Sequence, residues 1–200
     1  MMVENTAILP SVPQRRPAVI ENGAIGMLMF VVCETMMFAG LVSAFNIAKA
    51  NAGGVWPPMG QPRLPLEETA INTIALLISG VLIAFTAQRF RNAKALPDQN
   101  TNRILLAAIL LGIFFVGFQG VEWVALLKEG LTLTSSQHGS FFYMIVGMHG
   151  LHAVGAILFL VLCWLNAKRG KLGKSGFSAA CVLWYFVVGV WPFLYLTLYL

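Results

Sequence analysis

Charge is the property that this 200-residue sequence has least of. Only 10% of its residues are Asp, Glu, Lys or Arg, whereas 58% are hydrophobic. A typical soluble domain carries about 25% charged residues. The mean hydropathy of +0.77 agrees with this imbalance. The composition therefore excludes an ordinary soluble domain and predicts a polytopic membrane protein with room for one compact bundle.

Cysteine and histidine are also scarce, with three residues of each type. The cysteines have no Cys-x-x-Cys spacing, so the sequence indicates neither a disulfide framework nor a zinc or iron–sulfur site. All three lie in apolar stretches, and we expect them to be small core residues. They are Cys33, Cys163 and Cys181.

Long apolar runs, by contrast, are abundant and predict an all-α fold, a polytopic bundle of five transmembrane helices. Each run is long enough to cross about 30 Å of hydrocarbon at 1.5 Å per residue. We expect residues 1–23, which contain several prolines and no apolar leader, to be a polar cytoplasmic tail and not a cleaved signal. The five predicted spans, which make up the bundle 24–200, are 24–48, 69–88, 104–127, 140–166 and 177–200.

Lysine and arginine are distributed unequally between the two sides of this bundle. The tail and the second and fourth loops hold ten of them, and the other two loops hold three. Because cytoplasmic loops carry the excess of basic residues, the sequence predicts a cytoplasmic N-terminus and an outward C-terminus. The net charge of +5 follows from these loops and needs no nucleic-acid partner. The ten residues are Arg15, Arg16, Arg89, Arg91, Lys94, Arg103, Lys168, Arg169, Lys171 and Lys174.

Five polar side chains inside the spans are the candidate site. They are Glu34, Gln119, Glu122, His149 and His152. Glu34 lies about 15 Å into its span and His152 about 18 Å from the outer edge, so the two are nearly level. His149 lies somewhat deeper than Glu122, and Gln119 precedes Glu122 by one helical turn. Two carboxyl–imidazole contacts between neighbouring helices are therefore geometrically possible.

This polar cluster has three interpretations. A metal site is weakly supported, because the second span offers no histidine, cysteine or carboxylate. A proton or ion pathway is plausible, since buried ionisable groups often mark relays. We favour a neutral, hydrogen-bonded tie between helices that also lines a lipid cleft.

Three segments resemble a known family, haem–copper oxidase subunit III. Residues 28–40, with Glu34 among apolar neighbours, are similar to its first shared helix. Residues 117–123, Gly-Phe-Gln-Gly-Val-Glu-Trp, resemble its Phe-x-Gly-x-Glu-aromatic segment. Residues 147–155 contain His-Gly-Leu-His and are very similar to its fourth-helix signature, Gly-x-His-Gly-Leu-His-Val. The resemblance covers essentially the whole chain after residue 23.

The resemblance implies the short, five-helix bacterial form of a non-redox subunit beside catalytic subunit I of a terminal oxidase. It implies a multi-pass protein of the bacterial inner membrane, with further respiratory-complex subunits and membrane phospholipids as partners. Haem and copper would belong to the catalytic partner, and this chain would hold no cofactor except bound phospholipid. The implied role is to support proton uptake and stability during turnover.

One departure from the family pattern lies in the last span. The family has His and Asp in Trp-His-Phe-x-Asp-x-x-Trp, where this sequence has Tyr185 and Val188. This departure leaves open a companion subunit of nitric oxide reductase or of another quinol-oxidising assembly. An independent transporter or proton channel is a third alternative, disfavoured because the sequence contains no internal repeat.

Overall fold

The structure, a computed structural model, describes residues 22–53, 56–58, 62, 64–92 and 98–199. These residues form five α-helices and, within the described ranges, no strand, which confirms the predicted all-α bundle. Every helix is long and apolar enough to cross a membrane. The helices are α1 (Asn22–Asn51), α2 (Leu66–Asn92), α3 (Gln99–Lys128), α4 (Gln137–Lys168) and α5 (Lys174–Tyr199).

The helices extend beyond the predicted spans at nearly every end. The longest, α4, has 32 residues and so measures about 48 Å, more than the hydrocarbon thickness. The extra turns belong to the head-group region or accommodate tilt. The predicted tail lies outside the described residues apart from Asn22 and Gly23, which begin α1. The orientation of the bundle stays a prediction.

Specific capping residues fix where α3 and α4 begin and end. The Thr101 hydroxyl and backbone N–H both donate to the Asp98 carboxylate at the start of α3, and these bonds hold the pKa of Asp98 below its usual value. Ser136 accepts from the Gly139 N–H at the start of α4. Gly130 and Gly170 follow the two helix ends with φ angles of 92° and 68°, the left-handed conformation that glycine adopts easily.

Helix α5 is the centre of the bundle, and α1 lies at its edge. Half of the apolar window of α5 is buried, compared with 11% for α1. Trp184 fills the space left by Gly112 of α3, where a Cβ atom would lie only 2.5 Å from the Trp184 ring. The packing of α5 also places Val188 against Gly80 of α2, where a Cβ would lie 2.9 Å from the valine methyl.

This contact accounts for one half of the departure noted in the last span. Val188 packs against Gly80, and a carboxylate at this position would bring a charge into the contact between α2 and α5. Tyr185 is 40% exposed on the bundle surface, and nothing in the structure explains this substitution.

Candidate functional site

Glu34 of α1 and His152 of α4 meet near the edge of the bundle. The Glu34 Oε2 atom lies 3.1 Å from His152 Nε2, and the two side chains are 18% and 10% exposed. Phe30, Phe38 and Phe186 surround the imidazole at centroid distances of 5.8 to 6.1 Å. The pair therefore joins two helices in an apolar setting while keeping some access from outside the bundle.

The hydrogen bonding of His152 orients its imidazole. Its Nδ1 atom lies 2.7 Å from the Met148 carbonyl oxygen, which can only accept, so Nδ1 is the donor. This bond leaves Nε2 on the side of Glu34, 3.1 Å from Oε2. Oε2 itself is buried and has no aligned hydrogen bond among the described residues.

Glu122 of α3 lies in a second polar cluster, which is enclosed by α2, α3 and α5. Thr69 Oγ1 lies 3.0 and 3.1 Å from its two carboxyl oxygens, and the Gln119 amide donates to Oε2 at 2.8 Å. The same amide nitrogen lies 3.3 Å from the Tyr199 hydroxyl. Glu122 is 5% exposed. We call Thr69, Gln119, Glu122 and Tyr199 the core cluster.

The core cluster also constrains the protonation of its carboxyl group. Thr69 Oγ1 lies 2.7 Å from the Pro65 carbonyl oxygen, which can only accept, and a hydroxyl has one proton to give. With that proton donated to Pro65, Thr69 has only acceptor capacity left for Glu122, and a protonated Glu122 can donate to it. The Gln119 carbonyl oxygen has no partner among the described residues.

Buried polar residues of α2 extend this hydrogen bonding along the helix. Asn72 donates to the Phe115 carbonyl at 3.1 Å and Ser79 to the Ala108 carbonyl at 2.8 Å. Trp191 of α5 donates through its indole N–H to the Thr73 hydroxyl at 2.9 Å. These bonds tie α2 to α3 and α5. Sequence reasoning overlooked Thr69, Trp191 and Tyr199, although the spacing of Thr69 and Asn72–Thr73 puts them on one helical face.

His149 does not pair with Glu122. The sequence allowed that contact, but the histidine is instead 1% exposed and stacked on Trp191 at 4.9 Å. Neither of its ring nitrogens has a hydrogen-bond partner among the described residues. His149 lines an apolar groove of about 330 Å³ between α3 and α4. Gly120 and Gly150 deepen this groove, because a Cβ atom at either would have no neighbour within 4 Å.

The cysteines and the remaining ligating groups are separated. Cys163 and Cys181 are buried, whereas Cys33 is exposed on α1, so the expectation of a core position is wrong for Cys33. Most faces of this edge helix contact no other helix, which explains its exposure. Across the described ranges, no group of three or more His, Cys, Asp or Glu side chains lies close enough to hold a metal ion.

Comparison with known proteins gives consistent matches. The family model described as cytochrome c oxidase subunit III matches residues 12–200. Cytochrome c oxidase subunit 3 of Mus musculus is 35% identical over 191 residues, which cover 92% of this chain and 71% of the mouse protein. A probable cytochrome c oxidase subunit 3 of Nocardia farcinica is 35% identical over 183 residues, covering 88% of this chain and 86% of the bacterial protein.

Proposed function

Because this chain belongs to the cytochrome c oxidase subunit III family, we propose that it is a non-redox accessory subunit of a respiratory haem–copper terminal oxidase. In this role it lies in the bacterial cytoplasmic membrane beside catalytic subunit I. Subunit I holds the haem and copper, and other respiratory subunits complete the complex. The chain stabilises subunit I, binds phospholipid and supports proton uptake during oxygen reduction.

The contact between Glu34 and His152 is the observation that carries the proton-uptake part of this proposal. A proton that enters the pair has two acceptors 3.1 Å apart, one carboxyl oxygen and one imidazole nitrogen. Moving that proton between them leaves the pair neutral, so neither position isolates a charge in hydrocarbon. Partial exposure gives water or a neighbouring subunit a route to the pair.

The two polar clusters have different roles in this proposal. The core cluster and the α2 hydrogen bonds hold the helices in register, which gives subunit I a stable flank. The pair at the edge accepts and releases protons. The groove between α3 and α4 is apolar and open on one side. It binds a lipid chain, which covers this side of the bundle.

Oxygen uptake by the complex with and without this chain tests the proposal. We expect the stripped complex to keep its full haem spectrum and to begin turnover at a normal or moderately lowered rate. It should then inactivate progressively, because slower proton delivery prolongs incompletely protonated intermediates. The decay should be faster at higher pH, where protons are scarcer.

Adding the purified chain back is the matched control and should restore the wild-type time course. Immediate loss of haem on removal would make the chain part of the catalytic core and contradict the proposal. An unchanged time course would remove the proton-uptake role. Failure of the chain to purify with any haem-containing partner would contradict the accessory assignment itself.

A further inference from the structure

His149 is a buried imidazole to which the proposed function gives no role. Its ring is 1% exposed, and neither of its nitrogens has a hydrogen-bond partner in the described part of the chain. Three other helices each place an aromatic ring against it. These rings are Phe38 of α1, Phe115 of α3 and Trp191 of α5, with centroids 6.4, 6.1 and 4.9 Å away. The imidazole is thus enclosed by side chains that offer water little or no hydrogen bonding.

Phe38 is the ring that separates this enclosure from the Glu34–His152 pair. It follows Glu34 by four residues and so lies on the same face of α1. It contacts both imidazoles edge-on, with centroids 5.8 Å from His152 and 6.4 Å from His149. Phe38 is 3% exposed, and Phe186 of α5 packs against it at 6.0 Å. Its ring therefore occupies the space through which water at the pair would reach His149.

Phe30 lies on the other side of the pair and makes a natural comparison. It precedes Glu34 by four residues, whereas Phe38 follows Glu34 by four. Its ring also contacts His152, at 6.1 Å, and this is its one aromatic contact within the described ranges. Unlike Phe38, it is 44% exposed. Of the two phenylalanines that flank the pair, one faces the membrane and the other faces the interior.

The groove between α3 and α4 begins on the far side of His149. It is lined by His149 and by Trp123, which lies near the end of α3 at Lys128. Water between the two histidines would join them into a proton relay, and this relay would link the pair to the second opening. In a complex that stores energy as a proton gradient, such a link would let protons leak.

From these contacts we infer that Phe38 is a seal that keeps water and protons at the Glu34–His152 pair from reaching His149 and the groove. The inference deepens the proton-exchange role proposed for the pair and rests on it for its purpose. Its test measures the contact of each histidine with water and needs no turnover. Failure of this inference is therefore distinguishable from failure of the oxygen-uptake experiment.

Solid-state NMR of the protein in lipid bilayers, with isotope-labelled histidine and with any subunits that accompany it, measures this contact. Magnetisation is transferred from water protons to the ring nitrogens, and its rate of build-up reports how closely water approaches each ring. Difference spectra against His149→Phe and His152→Phe identify the two signals. We expect fast build-up at His152 and slow build-up at His149 in the wild type.

Shortening the Phe38 side chain should remove this difference. Phe38→Ala should raise the build-up rate of His149 to that of His152, because it opens a space for water beside an imidazole with unpaired nitrogens. Phe38→Leu removes less volume and is better tolerated in a core, so it should raise the rate by a smaller amount. Phe38→Leu also carries the test if Phe38→Ala does not fold.

The matched control is Phe30→Ala, which removes an equal ring from the other side of Glu34 and should leave build-up at His149 slow. The inference is overturned if His149 builds up as fast as His152 in the wild type, a result that requires no variant. It is also overturned if neither Phe38 variant speeds the transfer to His149, or if Phe30→Ala speeds it as much as Phe38→Ala does.

Discussion

Glu34 and Glu122 are both carboxyl groups inside the membrane spans, but the structure surrounds them differently. Glu34 has one close polar partner on another helix, His152, and keeps 18% of its side chain exposed. Glu122 has two hydrogen-bonding partners, Thr69 and Gln119, and is 5% exposed. The first site is open at the bundle edge and contains two groups that can exchange a proton. The second site is enclosed, and its carboxyl group contacts a threonine hydroxyl and an amide but no imidazole.

This difference shows that burial of an ionisable residue does not by itself indicate a proton pathway. An enclosed carboxyl group that is hydrogen-bonded to a threonine hydroxyl of a neighbouring helix and to an amide of its own helix acts as a structural tie. A partly exposed carboxyl next to an imidazole has two positions for one proton and a route outward. Stability should therefore depend more on the core cluster, and turnover more on the pair.

Replacing each glutamate with leucine should give the largest difference in the free energy of unfolding between the two regions. Glu122→Leu leaves the Gln119 amide short of an acceptor and removes the link from α3 to Thr69. We expect it to lower the free energy of unfolding by about 3 kcal/mol. Glu34→Leu leaves only His152 Nε2 without its partner, at a partly exposed site, and should cost about 1–2 kcal/mol. Titration of the purified protein with SDS in mixed micelles measures both. Equal losses would contradict the assignment of the core cluster as the stronger tie.

Replacing one threonine in each region should give a second, smaller difference in the free energy of unfolding. Thr69→Val removes the hydroxyl that contacts both Glu122 and the Pro65 carbonyl and should cost about 1–2 kcal/mol. Thr35 lies beside Glu34 in the sequence, is exposed and bonds only to the Val31 carbonyl of its own helix. Thr35→Val should stay within about 0.5 kcal/mol of the wild type in the same titration. A loss at Thr35 as large as that at Thr69 would show that the edge of the bundle is under comparable constraint.

Replacing the two histidines of α4 should give the smallest changes in the free energy of unfolding. His152→Phe leaves the Glu34 carboxyl without its imidazole and should cost about 1 kcal/mol. His149→Phe should be nearly neutral, within about 0.5 kcal/mol. Its ring packs on Trp191 and its nitrogens have no partner in the described residues. A marked loss for His149→Phe would show that a bound molecule or water pairs with His149, and would move this residue into a functional role.

The sequence predicted the helices well because apolar length is a local property that each span carries by itself. The level of Glu34 and His152 was also predictable, because helical rise and antiparallel order give depth in the membrane. The partners of Glu122 were not predictable, because the depth of a residue in the membrane does not determine the direction in which its side chain points around the helix. Gln119, one turn away on the same face, and Thr69 on α2 occupy the positions next to Glu122. The roles of Trp191 and Tyr199 depend on which helices are neighbours, and the sequence does not specify this arrangement.

The time course of oxygen uptake with Glu34→Gln and Glu122→Gln variants tests the central contrast most directly. Glutamine keeps the shape and most hydrogen bonds at both sites but cannot accept or release the carboxyl proton, so both complexes should assemble with a full haem spectrum. We expect the Glu34→Gln complex to inactivate several times sooner than the wild type, and more so at higher pH. The Glu122→Gln complex should follow the wild-type course. Early inactivation of the Glu122→Gln complex, with a wild-type course for Glu34→Gln, would contradict the account.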